Sequence, residues 1–272
     1  MPMSSLALAA LAAAVGGAIN SIAGGGTLLT FPTIVALGVA PLTANVTNTM
    51  ALWPGTLGSV WGYRAHLARV RPLMPGFSVV SLLGGGVGGW LLLATGEKRF
   101  GQVVPFLVLA ATALFMAQGP LLRWLRRDGS TARPAALPPV GARPAALPPS
   151  RLPAFPPALL AAQFLVAVYG GYFGAGIGIM MLAALGLMGL TDIHEMNALK
   201  TWGAGLINLV AGGLFAASGV VDWPLGLAMA AGSLLGGYGG ARVAQRVGQI
   251  WVRRAVSAIG ISAFVFLLWN RR

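Results

Sequence analysis

The 272-residue sequence contains no cysteine, only five acidic residues and only two histidines. The absence of cysteine excludes disulfides and thiolate metal ligands. Two distant histidines and five acidic residues, placed mostly between apolar segments, form no recognisable metal site, hydrolytic dyad or pair of nucleophile and base. We therefore expect a protein that is not an enzyme and that binds no metal and no cofactor.

Charged residues of all kinds are scarce, at 8% of the chain, whereas an ordinary soluble domain carries about 25%. Hydrophobic residues make up 57%. Several uncharged segments approach or exceed the roughly 18 residues that are needed to cross a bilayer. They are 6–23, 44–63, 73–95, 100–122, 158–173, 196–221, 225–241 and 255–269. The sequence predicts an all-α polytopic membrane protein.

The net charge of +13 comes from arginines that lie between the apolar segments. Nucleic-acid binding would require these arginines on one amphipathic face or in one solvated tail, which the sequence does not show. Their distribution is typical of cytoplasmic loops that follow the positive-inside rule. The expected surroundings are therefore a lipid bilayer, with no nucleic-acid partner.

Two glycine-rich segments, 24–27 and 174–178, mark equivalent positions in a duplicated unit. A shift of 152 residues, with no gap, places the first half of the chain on the second. The matched pairs include Gly24/Gly176, Gly26/Gly178, Asn45/Asn197, Thr49/Thr201 and the SLLGG segments 81–85/233–237. This register predicts two copies of one unit, repeat 1 at 1–122 and repeat 2 at 158–272.

The charges of matching loops predict how the two repeats are oriented. Loop 64–71 carries three arginines and a histidine, whereas its counterpart, 216–223, carries only Asp222. In the next loop the bias reverses, because 97–99 is nearly balanced and the region 242–254 has four arginines. Arginine-rich short loops stay in the cytoplasm, so this pattern favours an inverted repeat.

An inverted repeat requires an odd number of elements in each unit. We count five, including the short segments 28–40 and 179–190, which are either broken crossings or re-entrant helices at the glycine motifs. The expected total is eight to ten transmembrane elements. The C-terminal Arg271 and Arg272 would then lie outside, which opposes this assignment.

The segment 123–157 is a proline-rich linker that contains an internal duplication, ARPAALPP at 132–139 and 142–149. Proline at this density favours an extended tether rather than a helix. A cytoplasmic linker is the expected role, and a docking site for a proline-reading partner is the alternative.

Polar side chains within apolar segments flank both glycine breaks, where a buried polar group is costly unless it has a partner or a function. A helix interrupted near mid-membrane presents unpaired N–H groups and the positive end of its dipole, which together bind anions. Two such breaks, brought face to face by the repeat, predict one central anion site. The predicted substrate-binding residues are Asn20, Gly24, Gly25, Gly26, Thr27, Asn45, Asn48, Thr49, Gly174, Gly176, Gly178, Asn197, Lys200 and Thr201.

Lys200 is the only lysine or arginine between Arg151 and Arg242, and it shares a helix face with Asn197 three residues earlier. In one interpretation it points inward and neutralises a bound oxyanion. In the other it lies near the end of its span and snorkels to the interface. The matching position in repeat 1 is Asn48, so the two halves are not equivalent in function.

His194 and Glu195 are candidates for a group that changes charge during a proton-coupled cycle. The alternative for the cluster of Asp192, His194 and Glu195 is a solvated loop, in which the two carboxylates favour the N-terminus of the next helix.

The segments around both breaks share a family pattern. GGAINSIAGGGT at 16–27 is followed by Phe31-Pro32, and ANVTNT at 44–49 is followed by Trp53-Pro54-Gly55. The second half contains GYFGAG at 171–176 and MNALKT at 196–201. This pattern resembles the TauE/SafE family of sulfite exporters, also called TSUP permeases, over nearly the whole chain except the linker.

The resemblance implies a permease of the bacterial inner membrane that moves small sulfur oxyanions or organosulfonates, such as sulfite, sulfoacetate or sulfolactate. It also implies two related halves with about eight spans. The resulting hypothesis is a secondary transporter that works by alternating access on a small anionic substrate. A passive anion channel and a non-transporting membrane scaffold that docks a partner through the linker are the alternatives. The anion, the direction of transport, the coupling ion and the choice between monomer and homodimer stay open.

Overall fold

The computed structural model describes residues 2–22, 24–127, 156–187, 190, 192–243 and 249–269, and the regular structure in these ranges is helical. The helices are α1 Met3–Ile22, α2 Thr27–Ala36, α3 Pro41–Gly62, α4 Arg64–Arg69, α5 Met74–Arg127, α6 Pro157–Tyr172, α7 Ile177–Leu187, α8 Ile193–Ser218, α9 Trp223–Val243 and α10 Gln249–Trp269. A 3₁₀ turn, Arg71–Leu73, joins α4 to α5. Most of the predicted linker lies outside the described residues.

Length and composition qualify three of the described helical segments as membrane spans: Met3–Asn20, Arg71–Ala117 and Ile193–Ser218. Shorter apolar helices accompany them at Thr27–Ala36, Pro157–Tyr172, Ile177–Leu187 and Val256–Trp269. Large hydrophobic side chains such as Leu83, Trp90 and Leu165 are exposed on the outside of the bundle, where lipid replaces water. The predicted class, an all-α polytopic membrane protein, is confirmed.

Helix α5 is two helices joined at Gly96. Its 54 residues would extend about 80 Å as one straight helix, far beyond the roughly 30 Å hydrocarbon core. Gly96 has φ 72° and ψ 167°, a conformation that glycine adopts without steric penalty. The arm before Gly96 packs on α6 and α8, and the arm after it packs on α10.

The short helices α2 and α7 follow the two glycine breaks. They contain 10 and 11 residues, so each extends about 15 to 17 Å, roughly half of the hydrocarbon core. Gly24, Gly174 and Gly176 have φ of 78°, 80° and 80°, which ends α1 and α6 before the short helices begin. The helices are therefore broken at the predicted motifs, and neither short helix is long enough to cross alone.

The long helices approach closely through small residues. Backbone atoms of Ala10 and Ala14 in α1 leave no space for a side chain at Gly232 and Gly236 of α9. Gly84 and Gly88 of α5 meet the backbone of α6 in the same way. Because lipid provides no hydrophobic driving force between helices, the van der Waals packing that such close approach allows contributes to their association.

Helices α3 and α8, which correspond under the 152-residue shift, run antiparallel where they touch. Trp53 Nε1 donates a hydrogen bond of 3.2 Å to the carbonyl of Gly205, the position that matches it. Farther along, His66 just beyond α3 stacks on His194 at the start of α8, with ring centroids 5.2 Å apart. Antiparallel counterparts are expected of an inverted repeat and support that interpretation. The repeat, its boundaries and the number of crossings stay predictions.

Candidate functional site

The two glycine breaks meet at the centre of the bundle. A methyl group added to Gly24 would lie 3.5 Å from the Cα of Gly178, and one added to Gly178 would lie 3.6 Å from the Cα of Gly24. These distances are ordinary van der Waals contacts, so the two backbones lie about one methyl group apart. The breaks therefore face each other rather than the lipid.

A cavity of about 90 Å³ lies beside this contact. That volume holds several waters or one small anion. Its lining comes from α1, α3, α8 and both breaks, and comprises Gly17, Asn20, Gly24, Thr27, Asn48, Thr49, Leu52, Gly55, Thr56, Ser59, Tyr63, Phe173, Gly174, Ile177, Gly178, Lys200, Thr201, Ala204 and Asn208.

Nine of the predicted binding residues line this cavity. They are Asn20, Gly24, Thr27, Asn48, Thr49, Gly174, Gly178, Lys200 and Thr201. The other five, Gly25, Gly26, Asn45, Gly176 and Asn197, lie behind the lining and support it. The binding roles of both groups stay predictions, and only the first group is part of the cavity lining.

The residues behind the lining make structural contacts. Gly25 faces the ring of Phe115 in α5, with no space for a side chain. Asn45 Nδ2 donates to the carbonyl of Tyr172 at 3.0 Å, so α3 is tied to the end of α6. Asn197 Nδ2 instead donates to the carbonyl of Ile193, 2.8 Å away and one turn earlier in its own helix.

Helices α2 and α7 direct their N-termini toward the cavity. The first N–H groups of a helix have no intrahelical acceptor. Asn20 Oδ1 accepts the N–H of Gly26 at 2.9 Å, but within the described hydrogen bonds the N–H groups of Thr27 and Gly178 have no acceptor. Two helix dipoles therefore place partial positive charge at one cavity.

Lys200 supplies the formal charge of the cavity. Its side chain is only 7% exposed and passes Gly178, where an added methyl group would lie 3.3 Å from Lys200 Cδ. No carboxylate belongs to the cavity lining. The ammonium is thus directed inward, and among the described residues it has no ion-pair partner.

Asn48 faces the same cavity from α3, at the position that matches Lys200 in the repeat register. It is 1% exposed, and its Oδ1 has no donor within the described residues. A fully buried amide oxygen without a donor is rare in folded proteins and requires an explanation. The cavity therefore contains two polar side chains whose hydrogen-bonding capacity is unused.

Hydroxyl groups complete the lining. Thr49 and Thr201 donate to the carbonyls of Asn45 and Asn197, four residues earlier, at 3.0 and 2.8 Å. Sequence reasoning missed the hydroxyls of Thr56, Ser59 and Tyr63, which continue along one face of α3. Thr56 follows Thr49 by seven residues, or two helical turns, and Ser59 and Tyr63 follow at intervals of three and four, which was a readable signal.

His194 and Glu195, the predicted proton-coupling candidates, do not line the cavity. Their N–H groups donate to Asp192 Oδ1 at 2.7 and 3.4 Å, so Asp192 caps the N-terminus of α8. His66 of α4 stacks on His194, and burial, followed by the nearby His194 and Arg69, lowers the pKa of His66 below its ordinary value. This cluster joins α4 to α8 at the end of the bundle.

The fold and the central cavity define a helical, multi-pass membrane protein with an electropositive cavity between two broken helices. Residues 8–267 match the family described as "Sulfite exporter TauE/SafE", so the chain belongs to that family. No solved structure matches the chain.

Curated relatives share most of the chain. A "Probable membrane transporter protein" of Haemophilus influenzae is 30% identical over 241 residues, covering 88% of this chain and 84% of the relative. The "Probable membrane transporter protein ORF9" of Sinorhizobium sp is 27% identical over 266 residues, covering 97% and 92%. "Probable membrane transporter protein YfcA" of Escherichia coli K12 is 27% identical over 263 residues, covering 95% and 87%.

Proposed function

We propose that this transporter moves a small sulfur-containing anion, sulfite or an organosulfonate, across the bacterial inner membrane by alternating access at the central cavity. The observation that carries the proposal is the buried, unpaired ammonium of Lys200 beside the N-termini of α2 and α7. A buried charge needs a partner, and the described part of the chain supplies none.

The geometry suits the oxygens of a sulfite or sulfonate group. The N–H groups of Thr27 and Gly178, the amide of Asn48 and the ammonium of Lys200 all reach one cavity of about 90 Å³. Together they offer several converging donors to a compact anion, as helix-terminus anion sites do. The family description, a sulfite exporter, agrees with this chemistry.

The asymmetry of the cavity supports alternating access. Its α3 wall extends from Asn48 to Tyr63, about 22 Å, and ends beside the arginine-bearing helix α4. At the other end, near the Gly96 turn, the ring of Phe100 packs against Tyr172 and Phe173 at 5.8 and 6.3 Å. The positive-inside rule favours a cytoplasmic position for α4, which would direct the cavity toward that side and leave the aromatic rings on the other.

The direct test is ligand binding by purified protein in detergent. Sulfite, sulfate, thiosulfate and short sulfonates are compared in a thermal-shift screen, because a ligand that binds only the folded state raises the melting temperature. Lys200→Met should abolish the shift and leave the ligand-free melting temperature near the wild-type value. The matched control is Lys98→Met, the same change at the exposed lysine, which is the only other lysine in the chain.

Transport is then measured in proteoliposomes. Saturable uptake and counterflow of the bound anion are expected of alternating access, whereas linear, non-saturating flux would indicate a channel. Vesicles that contain Lys200→Met protein should accumulate the anion more slowly than wild-type vesicles. Equal rates would show that Lys200 is not part of the binding site.

A further inference from the structure

Among the described residues, the cavity that holds Lys200 provides nothing to neutralise its ammonium. The lining contains glycines, amides, hydroxyls and apolar groups, and Tyr63 is the only other titratable side chain in it. Asp192 and Glu195 lie at the first turn of α8, outside the lining, with His194 beside them. Arg69 of α4 lies near His66 in that cluster, and the guanidinium of Arg64 lies 4.8 Å from the ring centroid of Trp61, so neither arginine belongs to the lining.

An unpaired ammonium in such surroundings is unfavourable, because burial removes its hydration without supplying a counter-charge. The adjacent N-termini of α2 and α7 add partial positive charge and oppose it further. Two states relieve the problem. The amine either releases its proton, or it keeps the proton while an anion is bound against it.

We propose that Lys200 carries a proton together with the substrate, so that one monovalent anion and one proton move in the same direction. This inference rests on the proposed function and assigns the coupling ion. In the empty transporter Lys200 is a neutral amine. The amine takes up one proton as the anion enters, forming a neutral ammonium–anion pair, and both leave on the other side.

The pair adds no net charge to the protein. The loaded and the empty transporter can therefore both change the side to which the cavity opens without moving charge across the membrane. The predicted candidates His194 and Glu195 cannot serve in the same way, because neither reaches the cavity. Asn48, the counterpart of Lys200, cannot titrate and leaves the stoichiometry at one proton.

The test uses a sulfonate, because a sulfonate stays a monoanion over the working pH range and cannot itself bring in a proton. Wild-type protein is screened with methanesulfonate and isethionate, and the one that gives the larger thermal shift is used. Titration calorimetry in two buffers with different protonation enthalpies then counts the protons taken up on binding. Uptake that approaches one proton per bound sulfonate is expected at alkaline pH, and the uptake should fall as the pH is lowered and the empty amine becomes protonated.

Proteoliposomes test the transport step. An inward sulfonate gradient should acidify the lumen, as reported by an enclosed pH dye, at one proton per sulfonate. A potential imposed with potassium and valinomycin should leave the uptake rate unchanged. Lys98→Met should behave like the wild type in both measurements.

Lys200→Arg separates charge from proton exchange, because a guanidinium keeps its proton throughout. It should bind sulfonate without proton uptake, and any transport that remains should respond to potential. If Lys200→Arg binds no sulfonate, the proton count and the lumen acidification measured with wild-type protein decide whether transport is coupled to protons.

The outcomes distinguish the inference from the function on which it rests. Failure of both sulfonates and sulfite to bind would overturn both. Binding with potential-driven uptake and no acidification would leave the proposed function standing and overturn the proton coupling, as would full coupling in Lys200→Arg.

Discussion

Replacing Gly178 with alanine tests whether the anion lies between the two glycine breaks. Gly178 is in the first turn of α7 and has no positive φ, so alanine fits its backbone conformation. The new methyl group would lie 3.3 Å from Lys200 Cδ and 3.6 Å from the Cα of Gly24. Contact with the Lys200 chain is relieved by a shift of a few tenths of an ångström, because that side chain is flexible.

The expected magnitude follows from these contacts. Folding should be preserved, since alanine favours a helix over glycine by up to about 1 kcal/mol and the crowding is mild. Binding should weaken, because the methyl group occupies part of a cavity of about 90 Å³ and displaces the Lys200 ammonium. One extra methyl-sized group in a pocket changes affinity by about 1–3 kcal/mol, or roughly 10- to 200-fold.

Titration calorimetry with the anion found in the screen measures this loss, and the ligand-free melting temperature reports the fold. Gly205→Ala is the matched control, since its methyl group would lie 3.8 Å from Thr56 and outside the lining. Wild-type affinity in Gly178→Ala would refute the placement of the anion at the breaks. A large fall in its melting temperature would refute the packing argument.

Two further predictions concern stability. Gly84→Ala should be less stable than Gly213→Ala by about 1–3 kcal/mol, because its methyl group would lie 2.7 Å from the carbonyl oxygen of Phe164, whereas Gly213 faces open space. Thermal unfolding in detergent compares them, and equal melting temperatures would contradict the packing. Because burial lowers the pKa of His66, the stability that neutral His66 provides should be complete above pH 6.5 and decrease as the pH falls through its folded pKa. His66→Gln should flatten this pH dependence, and an unchanged profile would exclude His66 as its source.

The glycine breaks could be predicted from sequence because they combine two signals. Glycine is the residue that adopts positive φ without a steric penalty, and Gly24, Gly174 and Gly176 do so in the structure. Their recurrence in one ungapped register added independent support. Lys200 was recognisable because a lone cation in an apolar span has few explanations.

The orientation of individual polar side chains could not be predicted. Asn45 and Asn197 belong to the same motif as Asn48 and Lys200, yet they point away from the cavity. The direction in which each side chain of a helix points is normally read from the contrast between the apolar and polar faces of that helix. Spans that are apolar on every side lack this contrast, so their rotation is decided by contacts between small residues on other helices.

The sequence predicted two apolar segments, 73–95 and 100–122, separated by the charged residues 97–99, and the structure divides α5 at the same place. The sequence did not show that Gly96 makes the turn. The chain contains 40 glycines, and the sequence does not distinguish Gly96 from the glycines that permit helix contacts. Only the backbone geometry separates the two uses. Gly96 has positive φ with nothing near its missing side chain, whereas Gly88 is helical and meets the backbone of α6.

Lys200 and Asn48 occupy equivalent positions in the predicted repeat, and only one of them carries a charge. The shared cavity offers a reason for this difference. Both positions face a single cavity of about 90 Å³, so a symmetric duplicate would place two ammonium groups together in low-dielectric surroundings. Their repulsion would add to the cost of burying each of them. A neutral amide in one half keeps hydrogen-bonding capacity while limiting the site to one positive charge. If the proposed function holds, the site should favour a monovalent anion, since a divalent anion would leave one negative charge buried without a partner.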